Sequence, residues 1–160
     1  MSKRYLAWLQ CIVVLTSMMW VSAPAHSAPA ADAVVGTWLD EDKRGYVEIY
    51  RAGDVYQGRV AGATDGAVKK DVKNPVHAKR TQSLLGQDII KGLTYDGEGH
   101  WQGGTIYNPD DGNTYSVRLT VIDANTLDLH GYIGVPLFGM TQRWTRATEM
   151  SVHVPGGEGR

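Results

Sequence analysis

Apolar and polar residues alternate along most of the chain that follows residue 33. The clearest case is GGTIYNPDDGNTYSVRL, residues 103–119, in which Tyr115, Val117 and Leu119 share one parity and the residues between them the other. This period of two is typical of a half-buried antiparallel strand, because successive side chains of a strand point to opposite faces. Eight short strands are predicted, at residues 34–39, 46–51, 55–60, 87–94, 100–107, 114–121, 127–131 and 141–146.

Most of these predicted strands are joined by turn-length segments, and no run of ten residues has a convincing helical pattern. Such an order indicates an all-β fold, an antiparallel up-and-down meander that closes into a small barrel or a tight sandwich. A closed barrel is favoured because closure removes exposed strand edges. The pattern lapses only at residues 62–84, which we interpret as one long loop with a helical turn near residues 75–79.

The segment Pro109-Asp110-Asp111-Gly112 invites three interpretations: a metal loop, a pair of catalytic carboxylates, or a turn. An EF-hand with Gly112 at its sixth position would place Arg118 where Glu is needed, so a calcium loop is excluded. Adjacent carboxylates in a solvated turn also lack the raised pKa that acid catalysis needs. Proline, aspartate and glycine each suit a turn at their positions, so a hairpin turn is predicted.

The first thirty residues have the order of a secretory signal peptide, with Lys3 and Arg4 before an apolar run and small residues after it. We expect cleavage before Ala31; cleavage after Ser27 and retention as a membrane anchor are the alternatives. The expected product is periplasmic or secreted and has no stable membrane span. The predicted organisation is a cleaved signal peptide at 1–30, one β-barrel domain at 31–147 and a disordered tail at 148–160.

Composition excludes several functions for the processed chain. The single cysteine, Cys11, lies in the signal peptide, so neither a disulfide nor thiol catalysis is available after cleavage. Lys3 and Arg4 are also lost, which leaves 14 basic against 17 acidic residues, a balance of −3. That balance argues against nucleic acid as a partner. About 130 remaining residues suffice for one domain with one core.

Candidate catalytic groups are few and scattered. The histidines beyond the signal peptide lack the spacing of zinc ligands, and the chain has no nucleophile elbow and no phosphate-binding loop. A hydrolase-type or isomerase enzyme would need a pocket that brings distant side chains together. The candidates for that pocket are Tyr56, Tyr107, Tyr115, Asp88 and His100. We predict instead a non-enzymatic protein with no cofactor and no metal.

A more specific pair joins the first and last predicted strands, which are neighbours in a closed barrel. Trp38 follows Gly36 on the first, and Arg146 shares the parity of Trp144 on the last. A guanidinium over the Trp38 indole would close the barrel by a cation–π contact worth about 0.5–2 kcal/mol. The alternative is that Trp38 is an ordinary core residue and the arginines are solvated.

The apolar link at residues 135–140 also needs an explanation. Pro136, Leu137 and Phe138 either plug one end of the barrel or form an apolar rim for a ligand, a partner or a lipid surface, and the plug is favoured. The basic run of the long loop either contacts an acidic partner or is a solvated surface, and the solvated surface is favoured because no aromatic residues interleave with it.

Several stretches of the chain resemble one known family. The G-x-W start at 36–38, VEIYRAGDVYQGRV at 47–60, KNP at 73–75, GGTIYNPDDGNTYSVRL at 103–119 and LHGYIGVPLFGMTQRWTR at 129–146 are similar to domain-of-unknown-function family 2147, small exported bacterial proteins. The resemblance implies export rather than a reaction. Members of that family often carry one or two cysteines that the processed chain lacks, so a disulfide is not expected. The G-x-W start with a late arginine also resembles lipocalin or calycin barrels, which carry small apolar ligands.

Together these observations predict a barrel that binds a small apolar molecule or a component of the cell envelope. An eight-stranded barrel has just enough interior for side chains or one small ligand. The residues expected to line that interior are Trp38, Tyr56, Trp101, Tyr115, Val117, Leu129 and Trp144. The alternative is a solid structural or protein-interaction module that acts through loops 62–84 and 135–140. The oligomeric state and the ligand are not predicted.

Overall fold

The computed structural model describes residues 29–67 and 69–150. Most of the predicted signal peptide and tail lie outside the described residues. The chain forms eight strands: β1 (Gly36–Leu39), β2 (Gly45–Ala52), β3 (Val55–Ala63), β4 (Asp88–Tyr95), β5 (His100–Asn108), β6 (Asn113–Asp123), β7 (Thr126–Tyr132) and β8 (Gly139–Arg146). Two single turns of 3-10 helix, Ala31–Val34 and His77–Lys79, complete the described secondary structure.

The strands form one closed antiparallel barrel in the order β1 to β8. Each strand pairs with the next along the chain, and β1 closes the ring against β8 through the pairs Trp38–Arg146 and Leu39–Thr145. The predicted up-and-down barrel is therefore confirmed, as is the turn at residues 109–112. Every predicted strand overlaps an observed one. Alternating apolar residues on each strand explain the closure, because only a closed sheet encloses all of the inward faces at once.

Most of the predicted strand bounds differ from the observed ones by one to three residues. Residues 31–34 form a 3-10 turn, so the first strand does not begin at Val34. The turn buries Val34, whose carbonyl oxygen accepts a hydrogen bond of 2.8 Å from the indole nitrogen of Trp38. Strand β3 also continues beyond the predicted Val60 to Ala63, where its backbone still pairs with β2.

The two ends of the barrel differ in their connections. At the end that we call the closed end, neighbouring strands are joined by tight links at residues 53–54, 96–99 and 124–125, and residues 29–35 lie across it. At the opposite end, the open end, the connections are residues 40–44, 64–87, 109–112 and 133–138. The loop at 64–87 and the link at 133–138 therefore lie at the same end of the molecule.

The core fills the barrel from the closed end upward. Trp38, Trp101, Leu119 and Leu127 are completely buried, together with aliphatic residues from the other strands. The pairing of β5 with β6 shifts between Trp101 and Gly104, which marks a bulge at the glycines of β5. On its other side β5 runs close to β4. A Cβ atom at Gly104 would lie 2.5 Å from the carbonyl oxygen of Lys91 on β4, so only glycine lets β4 and β5 approach this closely.

Candidate open-end cavity

The open half of the barrel contains a cavity of about 590 Å³. Most of its wall is made by inward-facing aliphatic and aromatic side chains, because the alternation that builds the core continues to the strand ends. Apolar wall residues are Val47, Val60, Leu84, Ile89, Ile106, Leu129, Met140 and Trp144. Acidic, basic and tyrosine side chains surround the mouth, so the site is apolar in its depth and polar at its rim.

The residues predicted to line the interior divide between two places. Tyr115, Leu129 and Trp144 line the cavity. Val117 is completely buried in the core, and Trp38, Tyr56 and Trp101 pack at the closed end. Parity gives the inward face of a strand but not the height along the barrel axis, which explains the division.

Several cavity residues were absent from the prediction. They are Tyr46, Val47, Val60, Ile89, Ile106, Tyr107, Met140 and Gln142. A usable signal existed in the sequence, since strands of a meander alternate in direction. The last residues of odd-numbered strands and the first residues of even-numbered strands then share one end. Val60, Ile106 and Val47 follow from that rule, whereas Leu84 comes from the aperiodic loop.

Outside the cavity, at the closed end, buried aromatic side chains bind the N-terminal segment. The indole nitrogen of Trp101 donates to the carbonyl oxygen of Ala31 at 3.0 Å. The Tyr56 hydroxyl donates to a carboxylate oxygen of Asp32 at 2.9 Å, and burial together with this hydrogen bond raises the pKa of Tyr56. The Tyr56 and Trp101 rings meet edge to face, with centroids 6.3 Å apart.

The pair expected to close the barrel is present. The Arg146 guanidinium carbon lies 4.1 Å from the centroid of the Trp38 ring. Its nitrogens donate to three backbone carbonyl oxygens, those of Val35 at 2.8 Å, Ala33 at 2.7 Å and Ala124 at 2.6 Å. Burial lowers the pKa of Arg146. This one side chain therefore fixes the N-terminal segment, β8 and the β6–β7 turn to one another.

The long loop is attached to the rim by a buried carboxylate that the sequence did not reveal. Asp71 has no solvent exposure, although most of the loop around it is exposed. The Tyr107 hydroxyl and the Asn74 amide each donate to it at 2.6 Å. Burial and the hydrogen bond to Asp71 raise the pKa of Tyr107 to about 12. No periodic pattern could have identified Asp71, because its partner is 36 positions away.

A second contact crosses the mouth. Arg44 pairs with Asp110 at 2.8 Å and with Asp42 at 3.1 Å, and hydrogen bonding to Asp110 raises the pKa of Arg44. Arg44 belongs to the β1–β2 connection and Asp110 to the β5–β6 turn, which are four strands apart in the eight-strand ring. Nearby, the Tyr115 hydroxyl donates to Asp111 at 2.6 Å and lowers the pKa of that carboxylate.

One polar side chain reaches into the apolar wall. Gln142 lines the cavity beside Trp144, whose indole nitrogen donates to the Gln142 side-chain oxygen at 3.1 Å. The acceptor of the amide is thereby occupied. Its two N–H donors have no hydrogen-bond partner among residues 29–67 and 69–150, so they are available to an acceptor group inside the cavity.

The predicted plug is wrong. Leu137 and Phe138 are 84% and 73% exposed, and Pro136 is exposed as well. The link between β7 and β8 leaves the barrel instead of turning into it, because the cavity wall is already completed by strand residues. These three residues do not line the cavity, so of the alternatives an exposed apolar surface for a partner or a lipid surface agrees with this placement.

The residues proposed for an enzyme pocket do not meet. Tyr56 and His100 lie at the closed end, where His100 contacts Thr120, while Tyr107 and Tyr115 lie at the open end. Asp88 instead accepts a hydrogen bond of 2.8 Å from Tyr50. Within the described residues, no three His, Cys, Asp or Glu side chains are grouped as metal ligands. In the same part of the chain, no helix is long and apolar enough to cross a bilayer.

Residues 36–146 match the family model described as "Uncharacterized protein conserved in bacteria (DUF2147)". The chain belongs to the DUF2147 family. No curated protein matches it. Among solved structures it is similar to protein HP1028 from Helicobacter pylori, described as a member of the lipocalin family. The TM-score is 0.66 at 26% identity, over 72% of this chain and 83% of that protein.

The matched region of this DUF2147 protein contains the complete cavity wall and Arg146. The 3-10 turn at Ala31–Val34 precedes it, although Arg146 and Trp101 bind this turn. The resemblance noted from sequence is therefore confirmed both for the family and for the lipocalin-like barrel.

Proposed function

We propose that this DUF2147 protein is exported and binds one small, largely apolar molecule in the open half of its barrel without transforming it. The observation that carries the proposal is the cavity of about 590 Å³, with its apolar wall and polar rim. Ligand sites in proteins typically have volumes of about 300–1,000 Å³ and place a few polar groups in a mostly apolar lining.

The arrangement of polar groups favours a molecule with an apolar body and at least one hydrogen-bond acceptor. The body would contact Leu129, Ile106 and Trp144, and the acceptor would reach the free N–H donors of Gln142. Apolar contact with the wall would supply most of the affinity, because burial of apolar area is the main favourable contribution in such sites. The lipocalin-like barrel is consistent with a binding protein.

Export through a cleaved signal peptide is compatible with the contacts that the N-terminal segment makes at the closed end. Cleavage before Ala31 would leave residues 31–35 intact, and these residues supply the carbonyl and carboxylate partners of Trp101, Tyr56 and Arg146. N-terminal sequencing of the protein from its own cells tests this step. A mature N-terminus inside residues 36–39 would contradict it, since the closing segment would be lost.

The binding proposal is tested by filling the cavity. Gly131 lines the wall, and a Cβ atom there meets only Tyr115 at 4.0 Å, so Gly131→Phe introduces a ring without a backbone clash. We expect the wild type to bind the neutral probe phenylnaphthylamine and quench Trp144 fluorescence, and the variant to lose affinity about tenfold or more. Thr105→Phe, at an exposed position of β5, is the matched control and should bind as the wild type does.

Circular dichroism of the variant establishes that its barrel is folded. Native mass spectrometry of protein purified from its own cells then shows whether a ligand accompanies it. A bare polypeptide mass together with no probe binding by the wild type would overturn the proposal. The solid-barrel alternative is not favoured, because a solid interior leaves no explanation for the cavity.

A further inference from the structure

We propose that the open end of the barrel docks on an anionic lipid bilayer. The docking surface has two parts, which we call the apolar tip (Ile133, Val135, Leu137, Phe138 and Met140) and the basic loop (residues 64–87). Docking itself does not depend on what fills the cavity. Passage of a ligand between the bilayer and the cavity would rest on the proposed function.

The apolar tip exposes more hydrophobic surface than any other part of the described chain of similar length. Its five members are between 54% and 84% exposed, and no charged residue stands between Gly131 and Gln142. A contiguous apolar surface of this kind on a folded domain indicates a site for a partner or a membrane. An uncharged segment with an exposed Phe is suited to the lipid interface, where a charged one would resist insertion.

The tip is held in its exposed position. The ring nitrogen Nε2 of His130 lies 2.7 Å from the carbonyl oxygen of Pro136, so Nε2 donates to it. Nδ1 of the same ring lies 2.8 Å from the Thr141 hydroxyl oxygen. The ring also stacks on that of Tyr132, with the two ring centroids 5.8 Å apart. The backbone N–H of Phe138 donates to the Val135 carbonyl oxygen. Little conformational entropy would therefore be lost when the tip enters a lipid surface.

The basic loop provides the charge that an anionic surface selects. Residues 64–87 contain five Lys and Arg residues against two Asp residues. Asp71 is buried, while Lys70, Lys73 and Lys79 are exposed. Val72 and Leu85, exposed to 61% and 51%, add apolar area on the same loop. Clusters of basic and apolar side chains together bind anionic headgroups, and that attraction falls as salt increases.

The other connections at this end are acidic, so the positive charge is confined to the basic loop. The β1–β2 connection and the β5–β6 turn together hold Asp40, Glu41, Asp42, Asp110 and Asp111 against Lys43 and Arg44, and Arg44 pairs with Asp42 and Asp110. These groups lie on the β1–β2 and β5–β6 connections, beside the axis that joins the tip to the basic loop.

The positions of the two parts favour a bilayer over a protein partner. The tip follows β7 and the basic loop follows β3, so they stand four strands apart on opposite sides of the mouth. A surface that contacts both must extend over the whole open end. A bilayer does so without needing a matching shape, and it would place the cavity mouth against lipid.

Vesicle sedimentation tests the proposal with the processed chain. The probes are phosphatidylcholine vesicles with and without phosphatidylglycerol, each at low and high salt. We expect the wild type to sediment with the phosphatidylglycerol vesicles, and the double variant Leu137→Ser/Phe138→Ser to bind them about tenfold or more weakly. Ile122→Ser is the matched control, because Ile122 is 52% exposed but lies near the closed end.

A charge variant separates the two parts of the surface. Lys70→Glu/Lys79→Glu should abolish the preference for phosphatidylglycerol and the salt dependence, whereas Lys91→Glu, at an exposed position in the middle of β4, should preserve both. The proposal is overturned if the wild type sediments with neither vesicle, or if the tip variant binds like the wild type. A protein captured by the tip in the absence of lipid binding would also overturn it.

Probe binding without vesicles keeps the two proposals apart. The tip residues Leu137 and Phe138 do not line the cavity, so their double variant should bind phenylnaphthylamine as the wild type does. Vesicle binding by a wild type that takes up no probe would reject the cavity ligand and leave docking in place. Probe uptake without vesicle binding would do the reverse.

Discussion

The two ends of this barrel are made from the same eight strands but are held together by different interactions. At the closed end, the buried indole of Trp101, the buried phenol of Tyr56 and the half-buried guanidinium of Arg146 bind the N-terminal segment. At the open end, exposed ion pairs and tyrosine–carboxylate hydrogen bonds, one of them to the buried Asp71, surround the cavity.

This difference indicates which end of the barrel determines its global stability and which end opens locally to admit a ligand. Buried hydrogen bonds to a charged group contribute about 1.5–3 kcal/mol each, whereas exposed ion pairs contribute about 0–1 kcal/mol. The closed end should therefore determine the global free energy of unfolding. The open end should open locally at much lower free energy, as binding sites commonly do.

The largest effect is expected at Trp38. It is completely buried beneath the N-terminal turn, so Trp38→Ala should lower the free energy of unfolding by about 3–5 kcal/mol. Trp144→Ala is the comparison at the open end and should cost less, because the Trp144 ring already borders the cavity. Urea denaturation measures both. Equal losses would show that the two ends do not differ in packing.

Arg146 should show the next largest effect. Arg146→Ala removes the contact with the Trp38 ring and leaves the carbonyl oxygens of Ala33 and Val35 without that donor. A loss of about 2–3 kcal/mol is expected. Arg143→Ala is the control on the same strand, because Arg143 is exposed and pairs only with Asp128 among the described contacts. If the two variants unfold alike, Arg146 does not close the barrel.

The sequence predicted the closed end well because that end depends on local regularities. Alternation gave the strands, and the identical parity of Arg146 and Trp144 turned the guanidinium toward Trp38, as found. The turn at 109–112 was predicted equally well although it lies at the open end, because glycine, proline and aspartate suit a turn through their own backbone preferences. Each of these inferences needs only short-range information and the closure of the ring.

The open end was predicted less well because its features depend on long-range contacts. Asp71 is buried only because the chain brings Tyr107 over it, which no pattern within residues 62–84 reveals. The plug was wrong for a related reason. An apolar run at 135–140 indicates a preference for burial, but it does not state whether the barrel or an external surface provides that burial.

Tyr107 offers a pH-dependent comparison between the ends. The pKa of Tyr107 rises from the ordinary 10 to about 12 in the folded protein. The stabilisation that Tyr107 contributes to the folded state is therefore complete below pH 10 and is lost as pH rises toward 12. Tyr107→Phe should lower the free energy of unfolding by about 1.5 kcal/mol at neutral pH, the low end for a bond to a charged group, since Asp71 keeps its hydrogen bond from Asn74. The difference between variant and wild type should shrink between pH 10 and 12.

Hydrogen exchange locates this effect. Amides of residues 69–84 should exchange faster in Tyr107→Phe, while those of β1 and β8 remain protected. Faster exchange at the closed end as well would mean that the two ends unfold together.

The smallest effect on stability should come from the pair that crosses the mouth. The side chains of Arg44 and Asp110 are 55% and 65% exposed, so Arg44→Ala should change the free energy of unfolding by less than about 1 kcal/mol. Removing a tie between opposite connections should nevertheless let the mouth open more often. Association and dissociation of phenylnaphthylamine should then accelerate together, with little change in affinity, because the pair lies at the mouth and not on the deep apolar wall.

Stopped-flow fluorescence of Trp144 measures these rates. Arg59→Ala is the control, since Arg59 forms an ion pair of similar exposure with Glu48 on the barrel wall and should leave both rates unchanged. High salt should reproduce the Arg44→Ala rates in the wild type, because it screens the same exposed pair. If Arg44→Ala weakens binding without changing the association rate, Arg44 contacts the ligand and the mouth is not gated by this pair. The open end would then open locally no more often than the closed end, and the two ends would differ only in how tightly their side chains are packed.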